Sequence, residues 1–137
     1  MKEADRGRRG RRSMQEKYEA FASEAAGRLR AEVLGTDVVN GYTTLQQADQ
    51  IASALALTRG DRLLDLGGGR GWPGSHVARA SGCRLVVCDL PMNALTTARA
   101  ILDDQGLEEG LLVRADGRRL PFRDATYDGI CHTDVLC

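Results

Sequence analysis

The 137-residue chain carries no surplus of charge: 19 Lys and Arg residues balance 19 Asp and Glu, a formal net charge of +0. A balanced chain has no global field to draw it to nucleic acid or to an anionic membrane surface. It has no apolar run long enough to cross a bilayer. The basic N-terminus is not followed by the apolar stretch of a secretory signal, so a cytoplasmic location is the default expectation. Cysteine is sparse: Cys83, Cys88, Cys131 and Cys137, with no CxxC pair. That spacing does not suit a zinc site, and it reads as free thiols buried in a reducing compartment. No metal is expected. Aromatic residues make up 4% of the chain, and none falls among Arg6, Arg8, Arg9, Arg11 and Arg12. A nucleic-acid arm would interleave bases with aromatic rings, so residues 1–13 read as a disordered basic tail. Met14 is an alternative natural start.

What is present suits one globular domain. Hydrophobic residues make up 42% of the chain, enough for a core. Residues 14–58 read as a helical cap. Tyr18, Phe21, Ala22, Ala25, Leu29 and Val33 recur at three- and four-residue steps up to a stop at Gly35. A turn at Gly41, Tyr42, Thr43 and Thr44 leads to a second helix carrying Leu45, Ala48, Ile51, Ala52 and Leu55. Thr43 or Thr44 is its expected cap. From residue 59 strands and helices alternate: strand 62–66, helix 74–80 after Pro73, strand 84–88, helix 93–105 before Gly106, strand 111–115, and a fourth apolar run over 129–136. Such alternation predicts an α/β fold with a doubly wound parallel sheet and right-handed crossovers.

The chemistry gathers where the strands end. Leu63-Leu64-Asp65-Leu66-Gly67-Gly68-Gly69-Arg70-Gly71 reads as a buried strand entering a glycine-rich loop and then a helix. Glycines admit positive φ and let a ligand approach the main chain, and the following helix start offers unpaired N–H groups. Asp65 stands just before the glycines. A carboxylate there repels a pyrophosphate and attracts a ligand tail with ammonium and sulfonium charges. Asp89 and Asp116 end the next two strands, so three carboxylates are expected to line one crevice at the carboxyl edge of the sheet. Asp89 lies about 20 residues past the loop, the spacing at which an acid meets a ribose. A rival reading uses Gly69, Gly71 and Gly74 as the G-x-G-x-x-G of an NAD(P)-binding oxidoreductase. Asp65 beside the phosphates and the unexplained Asp116 weigh against it.

With these motifs in order, the chain resembles the class I S-adenosylmethionine-dependent methyltransferases, in their small-molecule branch. The family's acid-x-Gly-x-Gly-x-Gly motif stands as Asp65-Leu66-Gly67-Gly68-Gly69-Arg70-Gly71, its ribose acid as Asp89, and its adenine-side acid as Asp116. The run from Leu120 to Gly129 resembles the loop into the family's fourth strand, and Gly41-Tyr42-Thr43-Thr44-Leu45 its N-terminal cap. The resemblance covers most of residues 42–137. It implies a Rossmann-like domain over 59–137 behind the cap, with S-adenosylmethionine as cofactor and a small-molecule methyl acceptor. It implies that Gly67, Gly69 and Gly71 give backbone room to the methionine end, and that Asp65 balances its ammonium directly or through water. Asp89 would hold the ribose, Asp116 and Gly117 flank the adenine, and Leu90 cover the ring.

The acceptor side is expected near His132 and Asp134. His132 is a candidate general base or a backbone contact to the cofactor. Asp134 is a candidate acceptor-binding or deprotonating group, or an acid at a helix N-terminus. Tyr42 is expected either to close over the cofactor or to pack in the core, and Trp72 to pack the loop. His132-Thr133-Asp134-Val135 does not match the Asn/Asp-Pro-Pro-aromatic motif of the branch that methylates base or glutamine nitrogens. Four strands, the N-terminal half of the family sheet, are visible, so the chain reads as C-terminally truncated. Its open edge would then invite a partner chain or aggregation. On that reading, a cofactor-binding remnant without activity of its own is the alternative to an enzyme.

Overall fold

The computed structural model describes residue 16 and residues 23–34 and 41–134. The basic tail, the start of the first helix, the stop at Gly35 and the last three residues of the chain lie outside the described residues.

The helices α1 (Glu24–Leu34) and α2 (Leu45–Leu55) precede the sheet. Thr44 caps α2. Its hydroxyl accepts from the Gln47 amide at 3.2 Å, while the Gln47 side chain accepts from the Thr44 amide at 2.8 Å. This reciprocal box satisfies two donors that a helix start otherwise leaves open. Then follow β1 (Arg62–Leu66), α3 (Gly74–Ser81), β2 (Arg84–Asp89), α4 (Met92–Asp104), β3 (Leu111–Arg114) and β4 (Gly129–Cys131). The fourth apolar run is thus a strand over only three of its described residues.

The strands are parallel in the order β3-β2-β1-β4, as the alternation predicts. β1 and β2 lie at the centre and are buried on both faces, so their buried positions are apolar on both sides, save for Asp65 in β1. Because strand side chains alternate, each face has its own cluster. Leu63, Leu85, Val87 and Cys131 face Val77 of α3, Leu95 and Leu102 of α4, and Ile51 and Leu55 of α2. Leu64, Val86 and Cys88 face the other way, covered by Phe122 and Tyr127 from the loop between β3 and β4. These two rings meet edge to face at 5.1 Å. Among the described residues, α2, α3 and α4 therefore share one face, and a loop covers the other.

α2 is fastened to α3 by burial of Ala48 and by His76 Nε2, 2.6 Å from Asp49 Oδ1. Cys83, Cys88 and Cys131 are free and buried. No helix among the described residues is long and apolar enough to cross a membrane.

Candidate functional site

The loop after β1 curves tightly beneath the carboxyl edge of the sheet. Gly67 and Gly69 have φ of 73° and 54°, the left-handed region that glycine enters without cost. The Gly67 amide donates to the Cys88 carbonyl at 2.7 Å and the Gly71 amide to the Gly68 carbonyl at 2.7 Å. The loop is thereby pinned to the end of β2 and closed on itself.

Asp65 lies elsewhere than the sequence suggests. It is 1% exposed and still inside the ladder, paired in register with Val87 and Cys131. Its Oδ2 accepts from the Gly74 amide at 2.9 Å, at the start of α3. Its carboxylate fills the space under the loop: a Cβ on Gly68 would stand 2.6 Å from Asp65 Cγ, and one on Gly74 2.5 Å from Oδ2. Burial pushes its pKa up to about 6, against the stabilising bonds from the Gly74 amide and the Cys131 thiol. The Cys131 thiol is raised in turn, by burial first and then by the Asp65 charge. Asp65 therefore braces the loop from below. Direct contact with a ligand's ammonium is closed to it by burial, which corrects that part of the expectation.

Asp89 is the last residue of β2 and is half-buried at the rim. Its Oδ2 accepts from the Gly69 amide at 2.7 Å and its Oδ1 from the Leu90 amide at 2.7 Å. The carboxylate is thus fixed against the turn of the glycine loop. Leu90 beside it is 50% exposed, an apolar surface at the mouth. Asp116 stands two residues past β3. Arg118 grips it with two guanidinium nitrogens, Nε at 3.0 Å and Nη2 at 2.5 Å. The hydrogen bonds from Arg118 hold the Asp116 pKa down at about 2. Gly117 is exposed, with open space where a Cβ would lie.

The end of β4 closes the other side. His132 Nδ1 lies 2.9 Å from the Leu66 carbonyl. A carbonyl only accepts, so Nδ1 carries a proton and donates there, which fixes the ring with Nε2 turned away. Oδ2 of Asp134 is already engaged, and a helix beginning at Asp134 would lie outside the described residues. That oxygen accepts from the Tyr42 amide at 3.0 Å, the Thr43 amide at 3.1 Å and the Thr43 hydroxyl at 2.8 Å. Tyr42 itself is 75% exposed, which excludes core packing. A cleft of about 570 Å³ opens between α2 and the end of β4, lined by Tyr42, Thr43, Gln47, Gln50, Ile51, Ala54, Thr133 and Asp134. The three aspartates of the sheet edge are not among its lining residues.

Sequence reasoning missed several participants. Thr43 is 6% exposed and joins the cap to β4. Trp72 packs as expected, yet its indole N–H also donates to the Thr43 carbonyl at 2.9 Å. Arg118 neutralises Asp116; an Asp and an Arg two residues apart in a turn was the available signal. Among the described residues no three His, Cys, Asp or Glu side chains gather as a metal cluster would require.

Comparison with known proteins gives a consistent setting. A family model described as a methyltransferase domain matches residues 63–137. The chain is 31% identical over 134 residues to 27-O-demethylrifamycin SV methyltransferase of Amycolatopsis mediterranei, covering 87% of this chain and 46% of that protein. It is 30% identical to the methyltransferase GfsG of Streptomyces halstedii, covering 62% of this chain and 31% of that one. It thus spans less than half the length of either relative. A methyltransferase from Thiobacillus denitrificans, crystallised with S-adenosyl-L-homocysteine, superposes with a TM-score of 0.61 at 22% identity, over 77% of this chain and 42% of its own. A methyltransferase from Aquifex aeolicus gives 0.61 at 16% identity, over 88% and 57%. At these identities the two structures speak for the fold alone.

Proposed function

The chain belongs to the methyltransferase-domain family of class I S-adenosylmethionine-dependent enzymes, and on that premise we propose that it binds S-adenosylmethionine at the carboxyl ends of β1, β2 and β3 and serves methyl transfer to a small-molecule acceptor. The observation that carries the reading is Asp89, fixed at 2.7 Å against the Gly69 amide on the rim of the curved loop. A carboxylate at this rim is an acceptor of the kind that the hydroxyls of a ribose need. A second feature fits the same group. Ser75, in the first turn of α3 behind the loop, is 1% exposed and its hydroxyl has no hydrogen-bond partner among the described residues. A polar atom left so at a helix start suits a site that takes a charged ligand end.

On this reading Gly67, Gly69 and Gly71 leave the main chain bare for the methionine end, with Asp65 acting from beneath through the loop. Asp89 holds the ribose, Leu90 covers the ring, and Asp116 and Gly117 border the adenine. Asp116 then shares its carboxylate between Arg118 and an exocyclic amine. When bound, the cofactor supplies an electrophilic methyl group on a sulfonium. The chain's residues position the acceptor and exclude water. Tyr42 and Thr133 flank the acceptor in the cleft below α2. His132, oriented by the Leu66 carbonyl, offers Nε2 to take a proton from an acceptor hydroxyl. Support for a hydroxyl acceptor comes from the relative whose name states an O-demethylated substrate.

The dinucleotide reading loses its physical basis in the same loop. Gly74, the third glycine of that pattern, is held at 2.9 Å on a buried carboxylate, which disfavours a pyrophosphate above it. Isothermal titration with S-adenosylhomocysteine and, separately, NADH tests the choice. Saturable binding of S-adenosylhomocysteine, weakened about tenfold or more by Asp89→Ala as a charged hydrogen-bonding partner is lost, is the expected result. Binding of NADH alone would overturn it.

A further inference from the structure

We propose that Asp134 is a positioning residue that clasps the N-terminal cap onto both halves of the site, setting where Tyr42 stands over the acceptor cleft; the cleft's use for an acceptor rests on the function proposed above. One oxygen of Asp134 receives three donors from two adjacent residues, the Tyr42 amide, the Thr43 amide and the Thr43 hydroxyl, at 2.8 to 3.1 Å. Successive main-chain N–H groups turned toward one oxygen form an anion nest, and the negative charge strengthens each bond. The fit is close: a Cβ on Gly41 would stand 2.4 Å from the same Oδ2. Asp134 takes up a φ of 58° to reach it, a conformation that Asp tolerates better than most side chains.

Thr43 is the hub. Its amide and hydroxyl go to the end of β4, and its carbonyl takes the Trp72 indole N–H at 2.9 Å. Trp72 sits directly after the glycine loop and is 7% exposed. One buried residue of the cap is therefore bonded to the cofactor side and to the acceptor side at once. Tyr42, 75% exposed, has little side-chain packing of its own. Its place over the cleft is set by its main chain, and so by Asp134. The cap cannot leave β4 without disturbing the residue that caps the cofactor loop, so the two halves of the site are coupled through Thr43.

Trp72 is the only tryptophan, so its fluorescence reports on the clasp without any ligand. In Asp134→Ala, amide exchange at Tyr42 and Thr43 should quicken by about tenfold, as each loses a hydrogen bond to a charged acceptor. Trp72 emission should move to the red as the cap loosens. S-adenosylhomocysteine should bind about tenfold more weakly in that variant. Asp134→Asn keeps an acceptor oxygen and should restore most of each readout. Thr43→Val should give part of the effect and add nothing to Asp134→Ala in the double variant; it and Asp134→Asn carry the test if Asp134→Ala does not fold. Unchanged exchange and emission in the folded variants would overturn the clasp. Released amides with unaltered S-adenosylhomocysteine affinity would overturn the coupling. If the native chain binds no S-adenosylhomocysteine, the proposed function fails, while exchange and emission still decide the clasp.

Discussion

A carboxylate under a glycine loop has a thermodynamic signature. The Asp65 pKa is raised from the model-compound value of 3.8 to about 6 by burial. Between those values the folded state holds a proton that the unfolded state has released. Stability therefore falls as pH rises through that window, by about 3 kcal/mol for one fully shifted group. Asp65→Asn should flatten this part of a denaturation profile taken from pH 4 to pH 7, because the amide has no proton to lose; an unchanged slope would show that Asp65 is not its source. Substituting the glycines that face the carboxylate should be costly for a steric reason. Gly68→Ala and Gly74→Ala place a methyl 2.5 to 2.6 Å from Asp65 atoms. Each should lose about 1–3 kcal/mol by chemical denaturation, the range for overpacking a tight site. Asp65 was legible as a strand-end acid, and its neighbours as loop glycines. Its burial was not singled out, although the alternation puts it on the face of Leu63, against the helices.

At the level of elements, local signals were reliable where one residue type has one use. Thr44 followed three residues later by Gln47 is a capping box, and the structure forms it. Thr44→Ala should cost about 0.5–2 kcal/mol, read as faster amide exchange in the first turn of α2 more than as a shift in the sheet. α4 shows the same legibility. Ala94, Leu95, Ala98 and Leu102 recur at helical spacing, and all are buried. The acceptor side was harder to read. His132 and Asp134 are a few residues past a strand, where nothing local fixes what a side chain meets. Asp134 meets the Thr43 hydroxyl 91 positions earlier in the chain, a pairing no local pattern encodes.

For the molecule as a whole, the two faces of the sheet are unequal. In register across the sheet, Leu111, Val86, Leu64 and Ile130 form one apolar row. Its centre is covered, but Leu111 is 61% and Ile130 56% exposed. Among the described residues β4 pairs only with β1, and an apolar strand at a sheet edge templates further pairing. Ile130→Lys should preserve the fold and shift sedimentation velocity toward the monomer at high concentration. An unaltered profile would show that this edge does not drive association.

The order of elements, the parallel sheet and the glycine loop with acids at the ends of its strands were determined by the sequence itself. Each depends on residues close in the chain: a period of apolar positions, a cap, a turn that only glycine can take. The tertiary structure alone decided what three of the acids do. Asp65 went under the loop, Asp89 to its rim and Asp134 to the cap. Those roles depend on which face a strand presents and which distant segment packs there, and both are settled only when the whole sheet closes around its core.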